Sequence, residues 1–66
     1  MKIIVIAGNE PNAMEEIINM NAGEYLASST RLNYEEFCTY TDTEKKDWVY
    51  EDFRHQFKYV EIKIEE

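Results

Sequence analysis

Residues 1–18 read MKIIVIAGNEPNAMEEII, and the reading of the junction at Gly8-Asn9 decides what kind of sheet the chain builds. Before the junction, Ile3, Ile4, Val5 and Ile6 form an unbroken β-branched run. A strand that is apolar on both faces belongs inside a sheet covered on both sides, as in α/β proteins. After it, Ala13, Met14, Ile17, Ile18 and Met20 recur with Glu15, Glu16 and Asn19 between them. Spacings of i, i+3, i+4 and i+7 trace one face of an amphipathic helix. Its start has two readings: Asn9 as cap with Pro11 in the first turn, or Asn12 as cap with Glu15 closing a capping box. In both, Glu10, Glu15 and Glu16 lie near the positive end of the helix dipole. Residues 21–23, NAG, then end the helix, with Gly23 suited to a left-handed C-terminal cap.

Working outward, EYLASST (residues 24–30) reads as a short second strand, without helical periodicity. KYVEIKIEE (58–66) alternates, with Val60, Ile62 and Ile64 on one side and Glu61, Lys63 and Glu65 on the other. That is a half-buried strand whose charges guard a sheet edge. Between these, Asn33 with Glu36 forms a capping box for one or two turns bearing Tyr34, Phe37 and Cys38. Thr41 with Glu44 forms a second box, opening a helix to about Phe57 in which Val49, Phe53 and Phe57 stack at i+4. A rival parse makes FCTYTD and DWVYEDF two strands joined by TEKK, because Thr, Tyr, Trp and Val suit pleated surfaces. The helix is the preferred parse of the two.

Strand, helix, strand, helical connection, strand is α/β order. The expected fold is a single domain over residues 1–66: a small three-stranded, mostly parallel sheet, spatial order 2-1-3, with helices packed on it. The alternative is α+β with a C-terminal antiparallel meander.

Composition bounds function. The 66 residues include one cysteine and one histidine, too few for an internal disulfide or a four-ligand zinc site. Apolar residues make up 44% of the chain, enough for a packed core rather than a disordered chain. No apolar run approaches the ~20 residues of a membrane span, and the start does not read as a signal peptide. The unpaired cysteine suits a reducing cytoplasm. Fourteen acids against seven bases give a formal charge of −7, which repels nucleic acid and anionic membranes and attracts a basic protein.

Enzyme chemistry finds little support. His55 is the lone neutral-pH proton shuttle, flanked by Arg54 and Gln56, and reads as a solvated or Glu51-paired side chain. Cys38 has no base beside it in sequence and reads as a small buried hydrophobe. Neighbouring carboxylates such as Glu15-Glu16, Glu35-Glu36 and Glu51-Asp52 have no acid–base spacing. The expectation is a non-enzyme with no metal and no cofactor. In a parallel sheet the strand carboxyl ends would gather Gly8, Asn9, Ser29 and Arg31 into an anion or nucleotide site. Three glutamates at the helix start oppose that use.

The opening also resembles small Rossmann-like proteins common in bacteriophage genomes. The residues that carry the likeness are IIVIAGNEPNAMEEI, a strand ending in Gly-Asn with an alanine four residues beyond Asn9, followed by EYLASST. It covers about the first thirty residues and implies a fold and a phage setting rather than an activity.

Eight of the nine aromatic residues fall between Tyr34 and Tyr59. Tyr40, Trp48 and Tyr50, edged by Glu44, Asp47, Glu51 and Asp52, have the make-up of interface anchors with an acidic rim. The leading expectation is therefore a small acidic protein-binding module. In a phage setting, it would inhibit a host nucleic-acid-handling or defence protein in the host cytoplasm, without touching nucleic acid or membrane itself. A nucleotide- or anion-binding Rossmann-like module and a structural homo-oligomer are the alternatives.

Overall fold

The computed structural model describes residues 1–28 and 32–66. In chain order the elements are β1 (Lys2–Gly8), β2 (Glu15–Asn21), α1 (Ala22–Ala27), α2 (Tyr34–Cys38), α3 (Asp42–Phe53) and β3 (Tyr59–Glu65). The strands form one sheet in the order β2-β1-β3, and both pairings are antiparallel. The fold is α+β, and the expected mostly parallel α/β sheet is corrected.

The correction arises at the junction with which the sequence opens. Ala13 N–H donates to the carbonyl of Glu10 at 3.1 Å, closing a turn with Pro11 and Asn12 at its centre. Proline at the first central position presets that bend. Only the residues between Gly8 and Glu15 join the two strands, too few for the crossover a parallel pair requires. The segment expected as a helix is therefore β2. Its apolar residues satisfy a period of two as well: Ile18 pairs with Val5 and Met20 with Ile3. Ile17 breaks the helical reading differently, as the extra residue of a bulge between the Val5–Ile18 and Ile6–Glu16 pairs.

Gly23 does not end a helix; it sits in the first turn of α1, and no glycine has a positive φ. Asn21 caps that helix, its side-chain oxygen accepting from Gly23 N–H at 2.7 Å. The expected strand EYLASST is in fact largely α1, with Ser28 as its C-cap. Its buried residues Ala22, Tyr25 and Leu26 are spaced i, i+3 and i+4, a pattern hidden when the segment is taken to begin at Glu24. Ser29, Thr30 and Arg31 lie outside the described residues.

The central position of β1, the β3 strand and both helix starts in the middle agree with expectation. Asn33 accepts from Glu36 N–H at 2.8 Å, and Thr41 and Glu44 form a reciprocal capping box. FCTYTD and DWVYEDF are not strands, so the antiparallel pairing comes from β1 with β2 and β3 rather than from a C-terminal meander. The third helix ends at Phe53, short of Phe57, because Arg54 to Gln56 turn the chain toward β3.

One sheet face carries the core. Ile3 and Val5 of β1, with Ile62 of β3, pack against Ala22, Tyr25 and Leu26 of α1, Leu32, Phe37 of α2 and Val49 of α3. Lys45, one turn before Val49, is also buried, its methylenes extending the apolar cover. The opposite face holds Ile4, Ile6, Ile17 and Tyr59 among Lys2, Glu61, Lys63 and Glu65, and no helix among the described residues covers it. The doubly covered sheet expected from β1 is thus covered on one side only.

Gly8 permits the reversal. A Cβ built there would lie 2.6 Å from the Ala13 carbonyl oxygen and 3.0 Å from Met14 Cα, both backbone atoms that cannot step aside. At Gly23 it would meet only the Asn21 side chain, at 3.1 Å. Gly8→Ala should therefore lower stability by about 1–3 kcal/mol in urea unfolding. Gly23→Ala should stay within about 1 kcal/mol of the parent, since helix propensity offsets crowding of the cap. Equal effects of the two substitutions would contradict the close approach at Gly8.

Candidate functional site

Helix α3 presents two useful faces. Val49, with Lys45 and Phe53, turns toward the core, and the residues about 100° away along the helix turn to solvent. Glu44, Asp47, Trp48 and Glu51 are spaced i, i+3, i+4 and i+7 and share that second face. Tyr40, from the turn between α2 and α3, closes the arrangement. Together these five residues line an open groove of about 310 Å³. The Tyr40 and Trp48 rings stand 6.4 Å apart between centroids, tilted by 52°. Trp48 is half-buried and packs against the core, which fixes one wall.

The three carboxylates differ in how they are held. Glu44 Oε1 accepts from Thr41 N–H at 3.0 Å, while Thr41 Oγ1 accepts from Glu44 N–H at 3.2 Å. Glu51 Oε2 faces Arg54 Nε at 3.2 Å, an exposed pair worth little to stability. Asp47 makes no hydrogen bond or ion pair among the described residues. The groove thus offers one carboxylate fixed by the capping box, one in a weak exposed pair, and Asp47 between them.

Of the residues expected to meet a partner, Tyr40, Glu44, Asp47, Trp48 and Glu51 converge here. Tyr50 and Asp52 do not. Tyr50 is 41% exposed on another side of α3. Asp52 accepts a hydrogen bond from the hydroxyl of Tyr25, tying α3 to α1. Asp52 also lines a second groove of about 360 Å³ with Ile18, Met20, Tyr25, Ser28 and Phe53. Sequence spacing could not reveal that groove, because its walls come from β2, α1 and α3 and its central hydrogen bond joins residues 27 apart.

The anion-site residues are placed differently. Antiparallel strands send their carboxyl ends in opposite directions, so no crevice of aligned strand ends forms. Gly8 lies against its own turn, and the Asn9 side chain accepts from Lys58 N–H at 3.2 Å, bracing the entry to β3. Ser29 and Arg31 lie outside the described residues.

Cys38 is exposed rather than buried. It lies one turn from Tyr34, whose phenol is raised above its ordinary pKa chiefly by its hydrogen bond with Cys38. His55 is exposed and accepts from Arg54 Nε at 3.5 Å. Among the described residues no group of three or more His, Cys, Asp or Glu could hold a metal ion, and no helix is long and apolar enough to cross a membrane. No family model, curated protein or solved structure matches the chain.

Glu44 is both a wall of the groove and half of the capping box, so the site and the helix share an interaction. Thr41→Ala should lower stability by about 1 kcal/mol. Urea unfolding followed through Trp48 fluorescence measures it, and an unmoved midpoint would show that the box carries no weight.

Proposed function

We propose that the chain is a small acidic protein-binding module that holds a basic partner in the groove between Tyr40 and Trp48. The observation that supports it is the convergence of two aromatic rings and three carboxylates on one open surface, Glu44, Asp47 and Glu51 beside Tyr40 and Trp48. Aromatic side chains supply contact area, and the carboxylates select a cationic surface and steer its approach. A formal charge of −7 extends that field beyond the groove. The likeness of the opening to phage proteins was carried by a strand–helix reading that the β1–turn–β2 hairpin replaces; in a phage setting, which is part of this proposal, the partner would be a host nucleic-acid-handling or defence protein. Carboxylates would then occupy a basic surface that otherwise receives phosphates, and the protein would act in the host cytoplasm as an inhibitor.

The test is retention of host proteins on the immobilised chain, with Asp47→Lys as the matched control and circular dichroism confirming its fold. The parent should retain basic, nucleic-acid-binding proteins that are released by moderate salt, and Asp47→Lys should not. Retention that ignores both salt and the substitution would overturn the reading.

A second reading, self-association, draws on the uncovered sheet face. Ile17 and Tyr59 are 38% and 40% exposed there, beside Ile6. Lys2 and Lys63 share the face with Glu61 and Glu65, so two copies can oppose unlike charges. Sedimentation should then show a dimer that Ile17→Lys dissociates, with a melting temperature that rises with concentration. A monomer at all concentrations excludes it.

A further inference from the structure

The two outer strands leave very different edges. On β2 the register slips at the Ile17 bulge, which bends that edge away from further pairing. β3 instead follows β1 residue for residue, from Gly8–Tyr59 to Lys2–Glu65, without a bulge. Among the described residues no strand pairs with its other side. A regular edge of seven residues, with backbone donors and acceptors facing outward, is a template for another strand.

We propose that the strand it receives is β3 of a second copy, antiparallel about a two-fold axis at Ile62, so that two three-stranded sheets join into one of six. The side chains of β3 select both the partner and the register. Residues opposite one another in an antiparallel pair share a sheet face, so a symmetric pairing joins core-side residues to core-side residues. With the axis at Ile62, that residue meets its own counterpart, and Val60 of each copy meets Ile64 of the other. On the solvent side, Glu61 of each copy meets Lys63 of the other, giving two opposite-charge pairs. Sliding one copy by two residues moves the axis to Glu61, which then faces itself, or to Lys63, where lysine faces lysine and Glu61 faces Glu65. Like charges directly opposed destabilise a strand pair. The charges that guard this edge against other pairings are therefore complementary in one register.

The single chain leaves these groups ready for that use. Val60 and Ile64 are half-buried, so the core stops short at the β3 edge and would continue across the junction. Glu61 and Lys63 are exposed, and their neighbours across β1 are Ile6 and Ile4, which answer neither charge. This contact uses neither the groove on α3 nor Ile17, which lies on β2 at the far edge of the sheet.

Charge exchange tests it, read by sedimentation equilibrium of the intact protein with circular dichroism confirming each fold. At about 0.15 M salt a Debye length of about 8 Å screens the repulsion between distant charges of the two copies. The parent should dimerise. Glu61→Lys and Lys63→Glu each set like charges against one another in both pairs and should weaken the dimer about tenfold or more. Mixing the two single variants should restore a dimer, since every pair across the junction is then of opposite sign. The double exchange Glu61→Lys with Lys63→Glu should restore it as well, and Ile17→Lys should leave it intact. A monomer at every concentration would overturn the proposal, as would a dimer indifferent to both exchanges. Weakening that neither mixing nor the double exchange repairs would also overturn it, since the effect would then follow net charge. A dimer that Ile17→Lys dissociates and the exchanges spare would move the contact to the uncovered sheet face and sink the edge pairing.

Discussion

The approach of the Ala13 carbonyl to Gly8 is the contact on which the rest of the architecture depends. It lets the chain reverse within a few residues of the end of β1, and a reversal that tight has one outcome, an antiparallel neighbour. Once β2 lies beside β1, its last residue Asn21 stands opposite Lys2, at the far end of the sheet from Gly8. Helix α1 must therefore start there, and it does, bonded through Ala22 N–H to the Met1 carbonyl at 2.9 Å. The remaining helices then fall on the same face, and β3 returns along the free side of β1. Asn9, the residue after Gly8, receives the Lys58 N–H and so sets where that return begins. The Gly-Asn pair is a structural hinge between three segments.

A domain this small has little stability to spare, on the order of 3–10 kcal/mol at the usual value per residue. Its core is correspondingly concentrated. Phe37, Ile3, Val5 and Val49 are the largest side chains with almost no exposure, and they come from α2, β1 and α3. No disulfide is possible with one cysteine, so the helices are held by packing and by their caps. Each of the three begins at a polar side chain that satisfies a free backbone N–H: Asn21, Asn33 and Thr41. Acids in the first turns, Glu24, Glu35, Glu36, Asp42 and Glu44, favour the positive helix ends. Part of the chain's acidity thus serves the fold directly, and the carboxylates at 47 and 51 are those left to the surface of α3.

The sequence made some of this readable and hid the rest for identifiable reasons. Asn33–Glu36 and Thr41–Glu44 were readable because a capping box is a local interaction whose partners are three residues apart. The strand at 59–65 was readable because charge and apolarity alternate without exception from Val60 to Glu65. Ala13 to Met20 was misread because its apolar residues fit both a helix face and, through Ile18 and Met20, a strand face. What separates the two is the Pro11-Asn12 turn and the shortness of the connection, signals weaker in composition than a run of five apolar positions. The groove on α3 was readable because four of its five residues lie on one helix face. The Tyr25–Asp52 bond was not, because it depends on how α1 and α3 meet over the sheet.

That difference bears on how the groove works. Binding loses free energy whenever side chains must be ordered at the moment of contact, by about 0.5–1.5 kcal/mol for each flexible one. Here the ordering is done in advance. The capping box holds Glu44 and core packing holds Trp48, through interactions at the start of α3 and beneath it. Of the three carboxylates, Asp47 alone has no partner among the described residues. A rim fixed by the helix's own N-terminal cap and an acceptor without such a partner make a surface that is rigid where it excludes and adaptable where it bonds. The same short-range rules that start α3 therefore shape its recognition face, and a change that frays the helix at Thr41 also loosens the walls of the groove.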